Sequence, residues 1–340
     1  MRVCVTGSRG YVGSMLVLQL RADGHEVVEF DLGWFDPAYT PKQDIRDVSA
    51  LRKAFAGVDA VISLACVSND HSCQLDEALS TSINFDAFEP MVIAAKEAGV
   101  RRFIYCSSSS VYGVSDAPDV FEDAPLVPLT KYNTYKAMCE PILLRHQTPD
   151  FVCTIIRPAT VCGYAPRMRF DLTVNIITAH AVLKQIITVF GGEQRRPNLH
   201  IKDMVDCYRT LLDAPEAKIA GQIFNVGAHN MKVSAVAELA RAVVSKEFNM
   251  PVAIETTAST DVRSYHINSD KIFHVLGFRP KHTVEDAIRD MCFVFQQGQW
   301  KDALENPLYS NVRQLVEAGH AVQDSLASYR KDRYGLHGSP

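Results

Sequence analysis

Short, almost continuously apolar runs alternate with helical spacings through the first half of the chain. The pattern predicts strands at residues 3–5, 25–31, 60–65, 102–107 and 152–156. Between them it predicts helices over about 11–22, 48–56, 85–98 and 132–145. Strands separated by helices of that length form right-handed βαβ units and a parallel sheet. A run such as Ala60-Val-Ile-Ser-Leu-Ala65 suits a strand covered on both faces.

The pattern changes after Arg157. Pro158, Gly163 and Pro166, with Arg167 and Arg169, mark a long loop whose arginines either line a substrate site or are solvated. Beyond it the spacing predicts helices near 172–183, 203–212, 234–246 and 284–297, and strands at 186–190 and 222–226. The expected fold is α/β, a Rossmann-type doubly wound parallel sheet with a smaller C-terminal α/β part. Residues 1–160 are read as the nucleotide-binding domain. Residues 161–300 are read mainly as the substrate-holding part, with a soft boundary across which the chain can return. Residues 301–340 read as an appended helix and polar tail. Pro141 is expected to kink or end the helix that contains it.

Composition narrows the class without naming a function. Of 340 residues 47% are apolar and 22% charged, which excludes a disordered tail, a collagen and a coiled coil. The net charge of −4 lacks the basic surplus of a nucleic-acid binder. No apolar run approaches the ~18–20 residues of a membrane span, and the N-terminus enters a strand without a signal-type apolar region. Nine cysteines, an odd number with no CxxC pair, read as buried reduced thiols of a cytoplasmic protein. No metal-ligand spacing is present.

Three segments carry candidate chemistry. Thr6-Gly7-Ser8-Arg9-Gly10-Tyr11-Val12-Gly13 follows a strand and opens a helix. Glycines allow a tight turn and close approach of a pyrophosphate to the free N–H groups of a helix start. Asp31 ends the second strand, where a carboxylate accepts bonds from an adenosine ribose and repels a 2′-phosphate. No Arg or Lys follows in Leu32-Gly33-Trp34, which points to NAD over NADP. Tyr132-Asn-Thr-Tyr-Lys136 puts a phenol and an ammonium on one helix face, where the cation is expected to lower the phenol pKa toward that of a general base. Cys106-Ser-Ser-Ser-Ser110 sets hydroxyls at the carboxyl end of a strand, where open parallel sheets bind ligands.

In this order and spacing the motifs resemble the extended short-chain dehydrogenase/reductase family, within it the nucleotide-sugar epimerases and dehydratases. The resemblance covers about residues 1–300. It implies NAD bound by Gly7, Arg9, Gly10, Tyr11, Val12, Gly13, Asp31, Asp44, Ile45, Leu64, Ala65, Cys66, Asn84, Ser107, Tyr132, Lys136, Pro158 and Ala159. It implies a catalytic set of Ser108, Tyr132 and Lys136. For a nucleoside-diphosphate sugar it implies contacts from Thr160, Asn175, Arg196 and Arg263; Tyr265, Ser68, Asn69, Ser109 and Ser110 are further candidates for the sugar pocket. Planar arginines suit the diphosphate. A homodimer through the helices near 85–98 and 132–145 is implied as well.

Departures from the family pattern shape the expectation. The family's 4,6-dehydratases carry an acidic pair where this chain has Ser109-Ser110, and its 3,5-epimerases place a Cys where Ser110 stands. Ser68-Asn69-Asp70-His71 either shapes a sugar pocket or is only a loop. The expected activity is therefore 4-epimerisation through a 4-keto sugar. A nucleotide-sugar oxidoreductase with net NAD(H) turnover is the alternative, a 4,6-dehydratase stands behind it, and a non-catalytic NAD-binding protein is a further reading.

Overall fold

The computed structural model describes residues 1–115, 117, 119–258, 264–300 and 302–320. In chain order the strands are β1 (Arg2–Thr6), β2 (Glu26–Phe30), β3 (Ala60–Ser63), β4 (Arg102–Cys106), β5 (Val152–Pro158), β6 (Thr160–Cys162), β7 (Ile186–Phe190), β8 (Arg195–His200), β9 (Gln222–Val226), β10 (His229–Lys232) and β11 (Ala253–Thr257). The central sheet has the order β2-β1-β3-β4-β5-β9 and is parallel throughout.

Alternate residues of these strands feed two cores, which explains the unbroken apolar runs. Val3, Val5, Ile62 and Ile104 face a core that also holds Leu16 and Leu20 of the helix Tyr11–Ala22. Cys4, Val61, Phe103 and Tyr105 face the opposite core, with Leu51, Phe55, Phe88 and Met91. The first core continues without interruption through Val174, Leu211, Ile288 and Phe295, so the second part packs on one face of the large sheet.

The second part contributes two small sheets. In one, β6 pairs parallel with β8 and β10 pairs antiparallel with β8. In the other, β7 and β11 run parallel. Between them the chain crosses back, since β9 joins the large sheet beside β5.

Three details add to the sequence pattern. The helix containing Pro141 spans Lys131–Arg145 and continues through the proline, so it does not end there. The helix expected over 85–98 is Phe88–Glu97, preceded by a wide π turn at Ser82–Asp86. The C-terminal segment is docked: in the helix Asn311–Glu317, Val312 and Leu315 are buried in the second core.

Candidate active site

The chain reverses direction across the sheet between β1 and β3, and ligands of open α/β sheets bind at such a switch point. A cavity of about 350 Å³ opens there, at the carboxyl ends of the strands. Gly7, Gly10, Tyr11, Val12 and Gly13 form one wall. Gly7 has φ +73°, and a Cβ on it would stand 2.8 Å from the Ala65 nitrogen. A Cβ on Gly13 would stand 2.1 Å from the Gly7 carbonyl oxygen. The helix that follows starts at Gly10 without a side-chain cap, so its first N–H groups face the cavity unclaimed by a capping side chain.

Asp31 lies just past β2. Its Oδ2 accepts the Arg9 N–H at 2.9 Å and its Oδ1 the Gly33 N–H at 2.6 Å. Burial pushes its carboxyl above the usual range, against the pull of those N–H groups and of Arg9 and Arg167. Trp34, Phe35, Gln43, Asp44 and Ile45 complete this end of the cavity. Leu64, Ala65 and Cys66, just past the end of β3, continue the wall.

At the other end, Tyr132 and Lys136 project from the helix Lys131–Arg145, and Ser107 to Ser110 follow β4. Lys136 Nζ donates to the Cys106 carbonyl at 2.6 Å and lies 5.8 Å from the Tyr132 ring centroid. Burial raises the Tyr132 phenol well above its ordinary value. Contrary to the expectation from the spacing, the phenol stands above and not below its ordinary value, because desolvation of the buried ring outweighs the cations around it. Ser110 Oγ donates to Asn133 Oδ1 at 2.5 Å, using its one hydroxyl hydrogen. The Ser108 hydroxyl, 2.7 Å from Ser110 Oγ, is then the donor of that pair. Ser109 is buried and Ser110 lines the wall; neither brings an acid to the cavity.

Pro158, Ala159 and Thr160 form the floor, with Ser68 and Asn69 on the rim. Tyr265 joins this cavity to a smaller hollow of about 80 Å³, also lined by Asp70, Ser110, Asn133 and Arg196. The Arg196 guanidinium lies 5.2 Å from the Tyr265 ring centroid. Asp70 Oδ1 accepts the Thr130 hydroxyl at 2.5 Å, next to the start of the catalytic helix.

Not every candidate reaches the cavity. The Arg9 side chain turns to Glu29 at 2.8 Å and over the Tyr39 ring, so its hydrogen bond to Asp31 comes from the backbone. Asn84 sits on the π turn and closes the loop after β3, accepting the Val67 N–H at 2.8 Å and donating to the Val67 carbonyl at 2.9 Å. Asn175 is fully buried; its amide oxygen accepts the Gly163 N–H, and its nitrogen donates to the Tyr11 hydroxyl and the Arg169 carbonyl. Arg263 lies outside the described residues.

Other groups line the cavity that sequence reading did not single out. Phe35 and Trp34 follow Gly33, and an aromatic pair after the strand-end Asp was the available signal. Asn311 arrives from far along the chain and had none. Arg167 and Arg169 are buried in the wall of the cavity and not solvated. Arg169 is paired with Asp171 at 2.8 Å. Arg167 stacks on the Phe35 ring, 3.6 Å from its centroid, and burial with Arg169 nearby lowers its pKa to about 9.

Residues 3–227 match the NAD dependent epimerase/dehydratase family. The chain belongs to that family. A UDP-glucose 4-epimerase of Mycolicibacterium smegmatis is 29% identical over 312 residues, 85% of this chain and 96% of that protein. A dTDP-D-glucose 4,6-dehydratase of Mus musculus is 27% identical over 332 residues, 89% of this chain and 91% of that one. The structure of MoeE5 in complex with UDP-glucose and NAD superposes with a TM-score of 0.76 at 23% identity, covering 88% of this chain and 99% of that one.

This family member is an NAD-dependent enzyme of the nucleotide-sugar epimerase/dehydratase class. Its own residues fit the cofactor. The uncapped helix start and the two glycines leave room and N–H groups for a pyrophosphate, and the Asp31 carboxyl lies in the same wall of the cavity.

Proposed function

We propose that the protein is a nucleotide-sugar 4-epimerase that retains its NAD through the catalytic cycle. The observation that supports this most is the catalytic wall: Ser108, Tyr132 and Lys136 line one cavity, while the two positions that are acidic in the family's dehydratases are Ser109 and Ser110. Oxidation at C4 needs a base and a hydroxyl donor, which this set supplies. Dehydration also needs an acid for the leaving C6 hydroxyl and a base for the C5 proton, which two serines do not supply.

Tyr132 as phenolate takes the proton of the sugar C4 hydroxyl while the C4 hydrogen leaves as hydride. Bound NAD supplies the acceptor for that hydride. Ser108 turns from Ser110 to hydrogen-bond the C4 oxygen as it becomes a carbonyl. Lys136 stabilises the phenolate electrostatically. The 4-keto sugar then receives the hydride on its opposite face, and Tyr132 returns the proton. Arg196 and, by sequence, Arg263 are assigned to the substrate diphosphate, with Ser68, Asn69, Thr160 and Tyr265 around the sugar. Asn175 acts through Tyr11, Gly163 and Arg169.

A net nucleotide-sugar oxidoreductase uses the same residues, and the two readings differ in what happens to the cofactor. A panel of UDP-, dTDP-, GDP- and CDP-sugars in a thermal-shift assay identifies the base, since a hundredfold excess over Kd adds about 2.7 kcal/mol to stability. With the sugar found, NMR of the product distinguishes an epimer from a keto sugar or uronic acid. Steady growth of reduced nicotinamide absorbance with a single turnover of sugar per NAD counts against epimerisation.

We also propose a homodimer and a cytoplasmic setting. Ile93 and Met138 are exposed on the helices Phe88–Glu97 and Lys131–Arg145, which suits a paired-helix face, and all nine cysteines are free. Light scattering that gives a monomer at micromolar concentration refutes the pairing.

A further inference from the structure

The rim of the cavity is fastened by the helix Asn311–Glu317. Asn311 Oδ1 accepts Arg167 Nη2 at 2.7 Å, and its Nδ2 donates to Ser68 Oγ at 2.6 Å. The Asn311 backbone N–H donates to Asp171 Oδ2 at 3.0 Å. One turn later, Gln314 Nε2 donates to the Trp34 carbonyl at 2.7 Å. Trp34 belongs to the loop after β2, Ser68 to the loop after β3, and Arg167 to the loop after β6. One short helix thus ties together three loops that line the cavity.

The tie is firmly seated. Val312 and Leu315 are buried beneath it, and the Trp34 ring lies 5.7 Å from His320 just past the helix. Arg167 is only 8% exposed, lines the cavity, and its Nε has no hydrogen-bond partner among the described residues. Leaving such a donor unsatisfied in a buried place is costly unless an anionic group comes to it. The dinucleotide that this family binds carries one.

We infer that the C-terminal helix is a latch on the cofactor, in which Asn311 and Gln314 are positioning residues that hold the Arg167, Ser68 and Trp34 loops closed over bound NAD and so slow its release. Retention of NAD is what an epimerase needs between the two hydride transfers, so the latch bears on the choice between epimerase and net oxidoreductase. It rests on NAD binding alone, and its test uses no sugar. Failure of the latch is therefore read separately from failure of the 4-epimerase reading.

The test is the dissociation rate of NADH from the full-length protein, followed by nicotinamide fluorescence after mixing with excess NAD. Asn311→Ala, which loses a bond to a charged group, is expected to speed release by about tenfold or more, and Gln314→Ala, which loses a neutral one, by more than about twofold and up to about tenfold. Asn311→Asp keeps an acceptor for Arg167 and loses the amide given to Ser68, so it should fall between Asn311→Ala and the parent. Leu211→Ala, a core substitution away from the latch, controls for general loosening. Should Asn311→Ala fail to fold, Gln314→Ala carries the test, because it touches only a backbone carbonyl. Release within about twofold of the parent overturns the latch. So does equal acceleration in Leu211→Ala, which would mark the role as structural.

Discussion

Arg157 grips Glu140 with two hydrogen bonds, Nε to Oε1 at 3.0 Å and Nη2 to Oε2 at 2.6 Å, and both side chains are buried. Glu140 Oε1 also accepts the Ser107 hydroxyl at 2.6 Å. Arg157 Nη1 donates to the Tyr112 hydroxyl at 2.7 Å and to the Glu122 carbonyl at 2.8 Å. The pair therefore ties the catalytic helix to β5 and to the serine-bearing end of β4. Glu140 stands one turn past Lys136, so the pair sets where Tyr132 and Lys136 sit relative to Ser108.

Removing one partner strands the other as a buried charge. Glu140→Leu or Arg157→Leu should each cost about 3–5 kcal/mol, and the double variant clearly less than their sum. Urea unfolding of the three variants checks this. An additive double variant would show that the two charges are not coupled.

Tyr132 carries the pH dependence. A group acting as base must lose its proton, and burial holds this phenol well above its usual value. Activity of the loaded enzyme should therefore rise with pH and fall off on the acid side as Tyr132 stays protonated. Lys136→Met removes the nearby cation and should move that limb to higher pH. Tyr132→Phe should lower kcat by about 10²–10⁴ while NADH still binds. A kcat–pH profile that is flat from neutral to alkaline pH in both the parent and Lys136→Met contradicts Tyr132 as the base.

Much of this arrangement could be read from the chain because it rests on local rules. The strand–glycine–helix turn, the acid after β2, the serines after β4 and the YxxxK helix are each fixed by neighbours within a few residues. The helix does not end at Pro141, because tertiary contacts override local preference: Glu140 just before the proline is locked by Arg157 from β5. Asn311 could not be read at all, since its partners Arg167 and Ser68 lie 144 and 243 residues away. Arg167 and Arg169 carry no periodicity that separates a buried cation from a solvated one. Only the packing of Phe35 and Asp171 against them decides it.

Asp31 should set the choice of dinucleotide. Its two oxygens accept the Arg9 and Gly33 N–H groups, so Asp31→Asn retains one acceptor while losing the charge. The preference for NAD over NADP is expected to fall by about tenfold, since the repulsion of a 2′-phosphate disappears, equivalent to about 1.4 kcal/mol. Titration of both dinucleotides against tryptophan fluorescence measures the ratio. An unchanged ratio in Asp31→Asn places the discrimination elsewhere.

Gly13 offers a test in which two effects oppose each other. By helix propensity alone, Gly→Ala in the helix Tyr11–Ala22 should stabilise by about 1 kcal/mol. Sterics point the other way, because the new Cβ would stand 2.1 Å from the Gly7 carbonyl oxygen and 2.8 Å from the Ser8 Cα, both backbone atoms of the turn. Backbone cannot swing aside as a side chain does, so the helix must lift from the strand. Gly13→Ala should therefore lose roughly 1–3 kcal/mol, the scale of overpacking a closed site, and bind NAD at least about tenfold more weakly. Gly10→Ala meets the same oxygen at 3.2 Å and should be distinctly milder on both measures. Melting temperatures and NAD dissociation constants of the two variants give the order directly. A Gly13→Ala protein as stable as the parent would mean that the close helix–turn contact does not hold in solution.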